Sequence, residues 1–239
     1  MSIHLQREIE KLKKNILSLG AMVEECVASA VKALRDRNPE LARKIIDNDI
    51  KVDQLEVDIE EECQKILALH QPVAHDLRFI IAVLKINAEL ERIGDAAVNI
   101  AERVEVLSES ERVSLPFNFT GMAEKARSML RNSLDALVNQ DSTLAYRVIA
   151  ADDEVDSINR QMYEQVKEGI RRHPEDMEAL IHLLSVSRHL ERIGDHASNI
   201  SEDVIYLVKG DIVRHRTEEY LSQEGLAHEV GKSTPPPTE

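Results

Sequence analysis

Leu90-Glu91-Arg92-Ile93-Gly94-Asp95-Ala96-Ala97-Val98-Asn99-Ile100 recurs one hundred residues later as Leu190-Glu191-Arg192-Ile193-Gly194-Asp195-His196-Ala197-Ser198-Asn199-Ile200. The match reaches Glu102 and Glu202, and upstream Asp49-x-x-Val52-Asp53 returns as Asp152-x-x-Val155-Asp156. Pro72 and Pro174 fall between these motifs in the same way. A repeat fixes architecture before any local reading does, and two copies point to a duplicated domain rather than a solenoid.

Each copy reads as three helices. In the first copy Ser2 can cap a helix whose apolar positions Ile9, Leu12, Ile16, Leu19, Val23, Val27, Val31 and Leu34 recur at helical spacing. Asn38-Pro39 marks a second start, with Asn as N-cap and Pro at the first helical position. That helix ends before Pro72, because the residue preceding proline avoids helical backbone. A third helix spans about Val73 to Leu107. In the second copy Thr120 can cap the fourth helix and Asp141 the fifth, while the sixth runs from His173-Pro174 to a C-cap at Lys209-Gly210. The expected fold is all-α: two tandem, pseudo-symmetric three-helix bundles of long antiparallel helices. The bundles cover residues 1–108 and 120–221, joined by a linker at 109–119 and followed by a disordered tail at 222–239.

Composition agrees. Of 239 residues, 43% are apolar but 3% aromatic, with no Trp, 8 Gly and 7 Pro, which favours helices over sheets. The formal charge of -14 makes the chain a poor nucleic-acid binder, since phosphate contacts need clustered Lys and Arg, and suits it to cations or basic surfaces. Cys26 and Cys63 stand alone, outside any Cys-x-x-Cys spacing, and read as reduced thiols of a cytosolic chain. The start Met-Ser-Ile-His-Leu-Gln-Arg-Glu has no signal-peptide core, and no apolar run approaches the roughly 20 residues a membrane span needs.

Spacing of four places Asp49 with Asp53, and Glu91 with Asp95, on one helix face. Asn99 and Glu102 extend the second stripe. The short connection at Pro72 makes the second and third helices an antiparallel hairpin. Measured from Gln71, Asp53 lies 18 residues before (71−53) and Glu91 lies 20 after (91−71). Asp49 lies 22 before (71−49) and Asp95 lies 24 after (95−71). From His173, Asp156 and Glu191 are 17 before and 18 after (173−156, 191−173), and Asp152 and Asp195 are 21 before and 22 after (173−152, 195−173). Four acids at one level repel unless protons, basic partners or a cation intervene. Oxygen ligands suit Mg²⁺, Ca²⁺, Mn²⁺ or Fe²⁺. His196 could add a nitrogen in the second copy, where the first has Ala96. The alternative is an exposed acidic face with Arg partners.

Gly94 and Gly194 inside helices allow either tight packing or close approach of a ligand group. His70, His75, His173, His182 and His189 lack partners at ligand spacing and read as structural or exposed. Phe117 and Phe119 are assigned to linker packing, and Met122, Met129 and Met162 to core filling.

The twin Leu-Glu-Arg-Ile-Gly-Asp-x-Ala-x-Asn-Ile motifs and the stretch Asp76-Leu77-Arg78 resemble the PhoU family of phosphate-transport regulators, from about residue 4 to 210. The resemblance implies tandem three-helix bundles holding multinuclear iron or zinc. Residue by residue, it makes Asp49, Asp53, Glu91 and Asp95, then Asp152, Asp156, Glu191 and Asp195, the ligands, with Asn99 and Asn199 at matching motif positions. The second copy has Asp176-Met177-Glu178 instead of Asp-Leu-Arg. The resemblance further implies a non-enzymatic negative regulator of the phosphate-starvation response. Such a protein links the ATPase subunit of a phosphate ABC transporter to a sensor histidine kinase, acts as a homodimer, and is cytoplasmic, reaching the membrane only through partners. The enzyme alternative is an all-α, Mg²⁺-dependent nucleotide pyrophosphohydrolase, for which Arg78, Lys85, Arg92 and Arg192 are the candidate phosphate-holding groups. A metal-free helical scaffold is the third reading.

Overall fold

A computed structural model describes residues 3–109 and 119–214. Six long α-helices account for nearly all of them: α1 (Ile3–Asp36), α2 (Pro39–His70), α3 (Ala74–Glu109), α4 (Phe119–Asn139), α5 (Ser142–Arg172) and α6 (Met177–Lys209), with one 3-10 turn at Pro174–Asp176. None of these helices is long and apolar enough to cross a membrane. Ser2, Phe117, most of the expected linker and the expected tail lie outside the described residues.

The caps follow the sequence chemistry. Asn38 Oδ1 accepts from the Leu41 amide at 3.0 Å, and Asp141 Oδ1 accepts from the Leu144 amide at 3.0 Å. Each satisfies an amide that the first helical turn leaves without a partner. Gly210 closes α6 with φ 82 and its N–H donates to the Tyr206 carbonyl at 2.9 Å. Thr120 is not a cap: α4 already begins at Phe119, whose ring packs on the core, so Thr120 sits inside the first turn.

Each bundle buries an apolar stripe against its neighbours. α3 packs on α1 and α2, α6 packs on α4 and α5, and the two bundles meet where α3 lies against α6 and α1 against α4. Leu90, Ile93, Ala97, Leu190, Ile193 and Ala197 are fully buried, so the repeated motif supplies the central helices with their core face. α1 and α4 come close where a Cβ on Gly20 would stand 2.8 Å from Leu134 Cδ2.

The α3–α6 seam also carries charge. Lys85 Nζ donates to Asp203 Oδ1 at 2.5 Å and lies 5.7 Å from the Tyr206 ring centroid. Asp203 is 3% exposed, and burial pushes its carboxyl up despite the lysine. Arg78, from the Asp-Leu-Arg stretch, lies against Gly210 at the end of α6. Removing one partner of a buried pair strands the other. Lys85→Ala leaves the buried Asp203 carboxylate without its partner and is therefore expected to destabilise the fold by about 1–3 kcal/mol, with a smaller loss at pH 5 than at pH 8 because Asp203 can then take a proton. Denaturant unfolding at the two pH values measures both.

Candidate metal centre

The hairpin heights place the second-copy acids together. One carboxylate oxygen from each of Asp156 on α5 and Glu191 and Asp195 on α6 lies within 4.8 Å of the others. Ligands on opposite sides of a Mg²⁺ or Ca²⁺ ion stand about 4–5 Å apart, so the spacing fits a hard cation. Asp152 flanks this group. Its Oδ1 is buried without a hydrogen-bond partner, and a Cβ at position 194 would stand 3.3 Å from that oxygen. Gly194 therefore makes room for a carboxylate, with Met129 Sδ next nearest at 3.5 Å.

Electrostatics in this copy run one way. Burial, then the charges of Asp195 and Asp156, push Asp152 up to about 7, with the Ser198 hydroxyl opposing. Burial and then Asp156 raise Asp195, against His196 and Arg192. Burial, Asp195 and Asp156 raise Glu191, against Arg188 and Arg192. Arg160, 3.6 Å from Asp156 on the same helix, is the one ion pair to the quartet among the described residues. A cation placed here would be stabilised by charges that now destabilise one another.

The first copy holds its acids in one neighbourhood but more loosely. Burial, Asp53 and Asp95 push Asp49 up to about 6. Burial raises Glu91, followed by the charges of Asp95, Glu56 and Asp53. Asp49 Oδ1 would be 3.8 Å from a Cβ on Gly94, which places α2 and α3 in the register the pivot arithmetic requires. Val52 is nearer, at 3.3 Å, so at Gly94 packing leads. Among the described residues, three ligand atoms within 4.8 Å occur only in the second copy.

Three expected groups face elsewhere. Asn99 Nδ2 donates to its own helix at Asp95 O, 2.7 Å away. Asn199 Nδ2 donates across the seam to Glu89 Oε2 at 2.9 Å, and His196 Nδ1 pairs with the same oxygen at 2.7 Å. The asparagines keep their Oδ1 for other use. Two acids escaped the sequence reading. Glu56 adjoins the first site, three residues past Asp53, and accepts from Asn87 Nδ2 at 3.0 Å. Glu89 holds the seam and pairs with Arg92 at 2.7 Å. The spacing of three could have exposed Glu56. Glu89 shows in sequence only as a mismatch with His189.

The PhoU domain family matches residues 16–104 and 119–204. The chain belongs to the PhoU family. A "Phosphate-specific transport system accessory protein PhoU homolog" of Aquifex aeolicus is 40% identical over 212 residues, covering 89% of this chain and 96% of the relative. The Thermotoga maritima "homolog 1" is 34% identical over 209 residues, covering 87% and 90%. The crystal structure of PhoU from Pseudomonas aeruginosa superposes with a TM-score of 0.82 at 36% identity, covering 86% of this chain and 99% of that one. The family's tandem all-helical architecture is thus the architecture of this chain.

The raised carboxyls have a pH signature. Asp49 and Asp152 hold protons in the fold that they lose in the unfolded chain, so folding is favoured most below the ordinary value of 3.8 and that contribution fades as pH rises toward about 6 and 7. Chelator-treated protein should melt at lower temperature at pH 7.5 than at pH 5. Added divalent metal should reverse the trend, and calorimetry at both pH values reads it. Gly194→Ala should weaken metal binding more than Gly94→Ala, because the added methyl group meets Asp152 in one case and Val52 in the other. Metal titrations of both variants make the comparison.

Proposed function

We propose that the chain is a metal-binding regulatory adaptor of phosphate uptake, a negative regulator of the phosphate-starvation response that couples a phosphate ABC transporter to a sensor histidine kinase. The convergence of Asp156, Glu191 and Asp195 oxygens within 4.8 Å carries the metal part. Membership of a family whose relatives are named accessory proteins of phosphate-specific transport supports the regulatory part. In the second bundle Asp152, Asp156, Glu191 and Asp195 would hold the ion, with Asn199 Oδ1 as a further oxygen. In the first, Asp49, Asp53, Glu91 and Asp95 would do so, with Asn99 Oδ1. Oxygen donors suit Mg²⁺, Mn²⁺, Ca²⁺ and iron, while the family resemblance points to iron or zinc.

Bound metal would supply charge neutralisation that fixes α5 against α6 and α2 against α3. The residues themselves set the heights, exclude water on the core side and orient their carboxylates. The partners under this reading are the transporter's ATPase subunit, the kinase and a second copy of the chain. The place of work is the cytoplasmic face of the membrane, reached through those partners.

Elemental analysis of chain purified without chelator should find bound metal. Asp156→Asn with Asp195→Asn should lower affinity at the second site by about tenfold or more, since changing even the outer-shell partners of metal ligands costs that much and these substitutions remove ligand charge itself. Capture of the ATPase subunit and the kinase should depend on metal. Metal-dependent nucleotide hydrolysis lost in the same double variant would replace the adaptor with the pyrophosphohydrolase.

A further inference from the structure

Among the described residues, the buried serines satisfy their hydroxyls with one exception. Ser133 Oγ donates to the Leu130 carbonyl at 2.7 Å and Ser201 Oγ to the Ala197 carbonyl at 3.0 Å, the usual recourse of a hydroxyl inside a helix. Ser187 Oγ donates to Asn159 Oδ1 at 2.8 Å. Ser198, 8% exposed on α6, does neither: its Oγ is buried and completes no hydrogen bond. A buried hydroxyl left in that state is costly, so the position calls for a partner.

Ser198 stands one helical turn beyond Gly194 and Asp195, on the face of α6 that carries the second acid quartet. Gly194 makes room for Asp152, whose Oδ1 would be 3.3 Å from a Cβ there and is likewise buried without a hydrogen-bond partner. The Ser198 hydroxyl acts on that same carboxyl, drawing it down while burial and the neighbouring acids push it up. A donor and an acceptor, both buried and both unsatisfied, thus meet between α5 and α6. They lie beside three acids whose oxygens come within 4.8 Å of one another. In the first copy the matching residue is Val98, packed against the core. There the atoms nearest a Cβ on Gly94 are Val52 Cγ1 at 3.3 Å and Asp49 Oδ1 at 3.8 Å.

We propose that Ser198 is a positioning residue of the second metal site: its hydroxyl donates to the buried Oδ1 of Asp152 and leaves the other carboxylate oxygen for a hard divalent cation shared with Asp156, Glu191 and Asp195. The inference rests on the metal reading of that quartet. A carboxylate that holds an ion through one oxygen is kept in place by a donor at the other, and such partners fix the orientation of metal ligands. A hydroxyl does this without adding positive charge, whereas Lys or Arg at the same place would repel the ion. Val98 offers Asp49 no such donor. The two copies are therefore unequal, and the second binds its cation more tightly than the first.

Calorimetric titration of Mn²⁺ into the chelator-treated full chain tests this. The binding phase weakened by Asp156→Asn with Asp195→Asn belongs to the second site and should be the tighter one. Ser198→Val and Ser198→Thr both take the shape of Val98 and differ from each other in the hydroxyl. Ser198→Val should weaken the second-site phase about tenfold or more, the usual effect of removing a partner of a metal ligand, and Ser198→Thr should restore most of it. Ser198→Ala, which removes the hydroxyl without adding bulk, should repeat the loss. The first-site phase should be the same in all three variants. Equal second-site affinity in Ser198→Val and Ser198→Thr, full affinity in Ser198→Ala, or a second site weaker than the first would overturn the inference and leave the metal reading standing. Absence of any phase sensitive to Asp156→Asn with Asp195→Asn would remove the metal reading of the second quartet and this inference with it.

Discussion

Like charges fixed at one height between stiff helices cannot relax apart, and that constraint governs this molecule. A carboxylate on a loop would swing into water. Asp152 and Asp49 cannot, because their helices are locked by buried Val155 and Val52 one helical turn along. Burial first, and the repulsion retained by the fold second, appear as raised proton affinity. It is tolerated because the apolar stripes on all six helices supply the stability: Leu90, Ile93, Leu190 and Ile193 are wholly buried beside the acids. Folding and proton binding are thus linked through the same few side chains, the stripe holding in place what the charges would push apart.

Most of the fold was legible in the sequence because its signals are local. Asn38-Pro39, Asp141 and Gly210 act through backbone groups within four residues, so the chain near them suffices to read them. The acid heights were legible as well, since two straight helices of fixed rise joined by a short turn convert counting into distance. Thr120 misled because a hydroxyl residue before a periodic stretch looks like a cap even when an aromatic ring, Phe119, has already started the helix.

The site was legible within a bundle and opaque between bundles. His196 and Asn199 lie on the stripe by spacing, yet their amide and imidazole groups turn to Glu89 on the other copy. No count along one hairpin contains that carboxylate. The unequal tightness of the two quartets has the same origin: Met129 approaches Gly194 in one bundle, while its counterpart Cys26 in the other lines a groove of about 390 Å³ between α1 and α2. Heights were set by sequence spacing, but lateral closeness is set by what fills the third helix face.

The seam has the pairing symmetry of two like copies brought together. Its approximate two-fold relation is that of an isologous dimer, in which every contact must be made twice by identical residues. Glu89 facing His196 could not survive in such a dimer unless position 96 were also histidine. Covalent fusion lifts that requirement. Each contact need then be made once, and the two ends of the junction are free to differ, one holding the Glu89 carboxylate with His196 and Asn199, the other carrying His189 and Ala96 at the matching positions.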